Sequence, residues 1–110
     1  MSELEKQLKK GVISIIVLTL IKQNDLYGYD VLKQMEIESD GYFKLKEGTV
    51  YPVLYRLEDD GYIESYWQKP ETDRGVPRKY YRITDSGKRA LKSYQDEWRA
   101  FIGATKKILG

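Results

Sequence analysis

Leu91, Tyr94, Trp98, Phe101, Thr105 and Ile108 follow one another at steps of three, four, three, four and three residues, a heptad seam near the C-terminal end of the chain. With Thr84 as N-cap, the helix carrying this seam is predicted to run from Asp85 to Leu109. At a rise of about 1.5 Å per residue it would be roughly 37 Å long. A chain of 110 residues has too little material to cover such a rod. Part of the seam, Trp98 to Ile108 above all, is therefore expected to bury against another chain, with the N-terminal helix able to join it. Leu8, Leu91, Tyr94, Trp98, Phe101 and Ile108 are the predicted dimerisation residues.

Ahead of the seam, Leu4, Leu8, Val12, Ile15 and Ile16 recur at three- and four-residue steps, which predicts a helix from about Glu5 to Lys22. Its C-terminal half is apolar on most sides, as a central buried helix would be. Asp25 is a predicted N-cap for a second helix reaching Glu38, with Tyr27, Val31, Leu32 and Met35 inward. Gly28 in its first turn costs helix propensity, and close approach to a neighbouring helix would account for it. A third helix is predicted from Thr49 to Asp60, with Gly48 near its cap, Pro52 in its first turn and Gly61 as its C′ stop. Val50, Leu54 and Leu57 share its packed side, leaving Thr49, Tyr51, Tyr55 and Arg56 facing elsewhere. Tyr62 to Trp67 and Pro77 to Thr84 read as two strands of a hairpin with a long tip.

Composition narrows the chemistry. The chain has no Cys and no His, so disulfides, thiolate nucleophiles, the commonest metal ligand and the commonest general base are absent. An enzyme would have to run on carboxylates, Lys or Tyr, and no acidic spacing here builds a dyad. No metal and no cofactor are expected. The apolar run from Val12 to Ile21 is shorter than the ~18 residues that suggest a membrane span, and the charged first ten residues lack a secretory pattern, so a cytoplasmic protein is expected. The net charge is only +2, but from Lys69 to Arg82 five cations meet two acids, a local +3 on the hairpin.

Mainly α with a small β hairpin, in the order helix, helix, helix, basic hairpin, long helix, is the layout of a winged helix-turn-helix. Residues 1–84 would form that DNA-binding domain and residues 85–110 the dimerisation helix. In such a fold the third helix enters the major groove and the hairpin follows the phosphates. Lys44, Lys46, Thr49, Tyr51, Tyr55 and Arg56 are thus candidates at the third helix, and Arg74, Arg78 and Lys79 at the hairpin. Structural readings stand beside these. Arg56 could pair with Glu58, Asp59 or Asp60; Glu47 could serve the helix dipole; and one of Tyr80 and Tyr81 should enter the core, since strand neighbours alternate faces. A winged-helix module docking a protein through its aromatic third helix is the alternative function.

Tyr27-Gly28-Tyr29, the run Gly48 to Leu54, Arg56-Leu57-Glu58, Gly61-Tyr62-Ile63, and Arg78 to Tyr81 with Thr84 and Gly87 together resemble the PadR family of bacterial transcriptional regulators, over nearly the whole chain from Val12 to Trp98. The resemblance implies a homodimeric winged-helix repressor on an inverted-repeat operator in double-stranded DNA, dimerised by its last helix. The short C-terminal region resembles the small subfamily without an added C-terminal domain. In some small members a cavity at the dimer centre takes planar hydrophobic effectors. Trp98 matches the position of such a cavity's tryptophan, with Ile15 and Phe101 as its neighbours; plain interface packing is the other reading of Trp98.

Overall fold

A computed structural model describes residues 2–69 and 75–110. Helix α1 (Glu3–Gln23) leads through the two-residue strand β1 (Leu26–Tyr27) into α2 (Gly28–Glu38) and α3 (Glu47–Asp59). Strands β2 (Ile63–Gln68) and β3 (Arg78–Ile83) follow, and α4 (Asp85–Leu109) closes the chain. Among the described residues no helix is long and apolar enough to cross a membrane. The core gathers Val17, Leu18 and Ile21 of α1 with Val31 and Met35 of α2, Val50, Leu54 and Leu57 of α3, Ile63 and Tyr81 of the sheet, and Leu91 of α4. As its apolar C-terminal half predicts, α1 is the helix around which the others pack.

The sheet has three strands, not two. β3 lies in the middle, antiparallel to both β2 and β1, with Leu26 opposite Tyr81 and Tyr27 opposite Tyr80. That pairing overturns the predicted start of α2. Asp25 caps nothing there: its Oδ2 accepts a hydrogen bond from the Tyr66 hydroxyl at 2.7 Å, Tyr27 occupies the N-cap, and the helix begins at Gly28. Strand alternation sends Tyr81 into the core while Tyr80 stays on the other face, its ring 5.7 Å from both Tyr27 and Tyr66. A Cβ at Gly28 would run into the Tyr51 ring, so the glycine is the close approach between α2 and α3 that its sequence position suggested.

α3 also starts earlier than predicted. The Lys46 carbonyl accepts from the Thr49 and Val50 amides, which brings Glu47 and Gly48 inside the helix and moves Pro52 into the second turn. The proline thereby removes one interior hydrogen bond instead of occupying a position where none was needed. At the other end Gly61 has φ +79°, Gly61 N–H donates to the Glu58 carbonyl and Tyr62 N–H to the Leu57 carbonyl, a Schellman ending. Thr84 caps α4, its Oγ1 accepting from Gly87 N–H at 3.0 Å and donating to the Gly61 carbonyl at 2.6 Å. A Cβ at Gly87 would collide with the Tyr62 carbonyl oxygen, so the end of α3 and the start of α4 are locked together.

Past that lock, α4 leaves the body of the molecule. Leu91 is 1% exposed in the chain's own core and has no surface to give another chain, whereas Trp98 is 43%, Phe101 61% and Ile108 85% exposed. Tyr94 lies between these extremes, its ring edge-on to Tyr62 at 6.4 Å. Leu4 and Leu8 of α1 are exposed as well.

Candidate nucleic-acid interface

With Val50, Val53, Leu54 and Leu57 buried, the outward surface of α3 divides by helical geometry at about 100° per residue. Tyr51, Tyr55 and Glu58 fall on one flank, beside α2 and the hairpin. Thr49, Pro52 and Arg56 fall on the other, beside α1. Sequence spacing alone presents these as one exposed face.

The hairpin flank is braced by specific contacts, with Tyr55 still exposed on it. Tyr51 and Tyr55 stack with ring centroids 6.3 Å apart. Burial, aided by the charge of Glu47, pushes the Tyr51 phenol above its ordinary pKa. Glu58 reaches the hairpin with both oxygens: Oε2 accepts from Ser65 Oγ at 2.6 Å, and Oε1 lies 3.4 Å from Lys79 Nζ. Burial alone would weaken the Lys79 ammonium, but Tyr81 and Glu58 outweigh it and the pKa rises. The other cations of β3 are engaged too. Arg78 lies 4.6 Å from the Tyr27 ring centroid, and Arg82 pairs with Glu64 at 2.9 Å while lying over Tyr66. Arg74, the remaining hairpin candidate, lies outside the described residues.

The α1 flank is open. Arg56 pairs with none of its acidic neighbours; its Nη2 donates to Ser14 Oγ of α1 at 2.9 Å. Thr49, Lys44 and Lys46 are exposed. They border a groove of about 670 Å³ whose far wall is the N-terminal half of α1, with Lys6, Lys9 and Lys10. None of these three was singled out by sequence. The signal was there in their spacing: Lys6, Lys9, Lys10 and Ile13 fall on one side of the helix, opposite Leu4, Leu8 and Gly11.

Ile15, Trp98 and Phe101 meet around a second cavity, of about 520 Å³, between α1 and α4. Leu8, Val12 and Tyr94 add apolar wall, and Arg56 and Leu57 of α3 with its C-cap Asp60 close one end beside polar residues that include Gln7 and Glu97. The last turns of α3 thus border both this cavity and the lysine groove.

The model of the transcriptional regulator PadR-like family matches residues 17–93, from the middle of α1 through the hairpin into α4. The chain belongs to that family. It is 38% identical to an uncharacterised protein of Lysinibacillus sphaericus over 89 residues, covering 81% of this chain and 80% of that protein. It is 29% identical to the negative transcriptional regulator PadR of Bacillus subtilis strain 168 over 83 residues, 76% of this chain but only 44% of that regulator. The fold is similar to that of a transcriptional regulator from Clostridium thermocellum, with a TM-score of 0.83, 34% identity, and 92% and 96% of the two chains covered. The PadR-like match spans α3 and both strands of the hairpin; the first fourteen residues of α1, with Lys6, Lys9 and Lys10, lie outside it.

Proposed function

We propose that this chain is a cytoplasmic, homodimeric repressor that reads an inverted-repeat operator in double-stranded DNA. The observation that carries the reading is the presentation of α3: one side is fixed in the core, and the other lies open between a braced hairpin and a groove lined with lysines. α3 would enter the major groove, with Thr49, Tyr51 and Tyr55 toward base edges and Lys44 and Lys46 toward phosphates. Arg56 would contribute from its Ser14 bond at the edge of the site. Arg78 and Lys79 would act mainly by holding the hairpin's angle. The name of the Bacillus subtilis relative supports repression as the direction of control.

Two copies would be joined through the exposed part of the α4 seam, Trp98, Phe101 and Ile108, with Leu8 of α1. A planar hydrophobic effector would sit in the cavity of Ile15, Trp98 and Phe101. Because that cavity is bordered by Arg56 and Leu57, a ligand that fits only one dimer geometry would shift the spacing of the two α3 helices. A gel shift on the DNA upstream of the chain's own gene, paired with a solution size measurement, tests this. A retarded band that weakens with salt and a dimeric mass are expected; a salt-insensitive band or its absence, or a monomer, would refute the reading.

A further inference from the structure

We propose that the lysine face of α1, formed by Lys6 and Lys10, joins Lys44 and Lys46 as a second phosphate-binding surface that grips the DNA backbone beside the stretch α3 reads. The inference rests on the DNA-binding reading above and adds a contact surface to it. Lys6, Lys9, Lys10, Lys44, Lys46 and Arg56 line the groove, and no acidic residue does, although the chain holds 17 Asp and Glu. Among the described residues, Lys6, Lys10, Lys44 and Lys46 have no ion-pair or hydrogen-bond partner for their side chains, in contrast to the cations of β3.

Lys9 organises the surface from within. It is 6% exposed, its Nζ donates to the Tyr42 carbonyl at 2.6 Å, and it lies 4.4 Å from the Tyr42 ring centroid. That contact ties the segment between α2 and α3, which carries Lys44 and Lys46, to α1. Helical geometry then decides which partner the face can take. Leu4, Leu8 and Gly11 lie on the opposite side of α1, so a second copy covering the leucines would leave the lysines uncovered. Mobile ammonium groups without fixed partners suit phosphates, which they bind as point charges carrying no sequence information. The surface should therefore add affinity equally to all duplexes.

The test is the salt dependence of binding for Lys6→Gln/Lys10→Gln, measured on the operator duplex and on a random duplex of equal length. Each lysine lost from a phosphate should flatten the slope of log affinity against log salt by about 1, so up to about 4 for a dimer. Both duplexes should weaken by the same factor, and Lys6→Arg/Lys10→Arg should restore binding. Lys106→Gln/Lys107→Gln, which removes the same charge from the end of α4, should leave the slope nearly unchanged. Wild-type slopes retained by Lys6→Gln/Lys10→Gln, or an equal loss in the α4 variant, would overturn the inference while leaving the DNA-binding reading standing. Failure of the unmodified protein to bind either duplex would overturn both.

Discussion

The cations on the two sides of α3 are held in opposite ways. On the hairpin flank each β3 cation is engaged: Lys79 with Glu58, Arg82 with Glu64, Arg78 over Tyr27. Among the described residues of the α1 flank, only the buried Lys9 and the exposed Arg56 are engaged, and the other lysines stand free along the groove. A cation already paired contributes less new attraction to a phosphate than a free one but keeps its backbone in place. The hairpin flank is built for geometry and the α1 flank for charge. Binding specificity should depend on the first, and salt sensitivity on the second.

Replacing Lys9 tests the rigid part of the α1 flank and should have the largest effect on stability. Lys9→Ala leaves the Tyr42 carbonyl without its partner and removes the ammonium from over the Tyr42 and Phe43 rings, at a cost of about 1–3 kcal/mol. Its exposed neighbours should behave differently: Lys6→Ala and Lys10→Ala should each change stability by less than about 0.5 kcal/mol. Thermal or denaturant melts of the three variants check this. Equal losses in all three would mean that the groove is not divided between a structural lysine and free ones.

Much of this arrangement was legible in the sequence, and the misses have local causes. Thr84 and Gly61 announced the start of α4 and the end of α3 because caps act through their own side chain or φ angle. β1 left no signal, because Leu26 and Tyr27 are a strand only by pairing with β3, which lies more than 50 residues away. Arg56 reads as exposed from spacing, and it is, but its direction toward Ser14 depends on where α1 packs. The lysines of α1 read only as part of a charged start to the chain, and it is the fold that sets them opposite Lys44 and Lys46.

Unpairing the hairpin should have a smaller effect on stability and the opposite effect on binding. Glu58→Gln keeps the side chain's size and an oxygen for Ser65 but removes the charge facing Lys79. Both side chains are about one-third exposed, so the cost should be at most about 1 kcal/mol. Freed from its partner, Lys79 should steepen the salt slope on a random duplex by up to about 1 per protomer, whereas loss of Lys6 and Lys10 should flatten it. The ratio of operator to random affinity should fall, since the hairpin's angle is less well held. An unchanged slope would show that Lys79 is already free to meet phosphates, and the contrast between the flanks would disappear.

Alkali should separate the flanks with the smallest effect. Burial raises the phenol pKa of Tyr51 and Tyr81 above the ordinary value of 10.0, and the Lys79 ammonium is raised above 10.5 by Tyr81 and Glu58 against the cost of burial. All three groups therefore hold their protons more tightly in the folded chain than in the unfolded one. The resulting stability is fully present below the unfolded values and is lost as pH rises through the higher folded ones. Histidine, the usual source of a transition near neutrality, is absent. Stability should consequently be flat across neutral pH and begin to fall above about pH 10. Denaturant melts between about pH 7 and 11 on the wild type and on Tyr81→Phe would measure this, the variant losing less with alkali because one raised phenol is gone. An equal alkaline loss in both proteins would show that Tyr81 is not among the groups responsible.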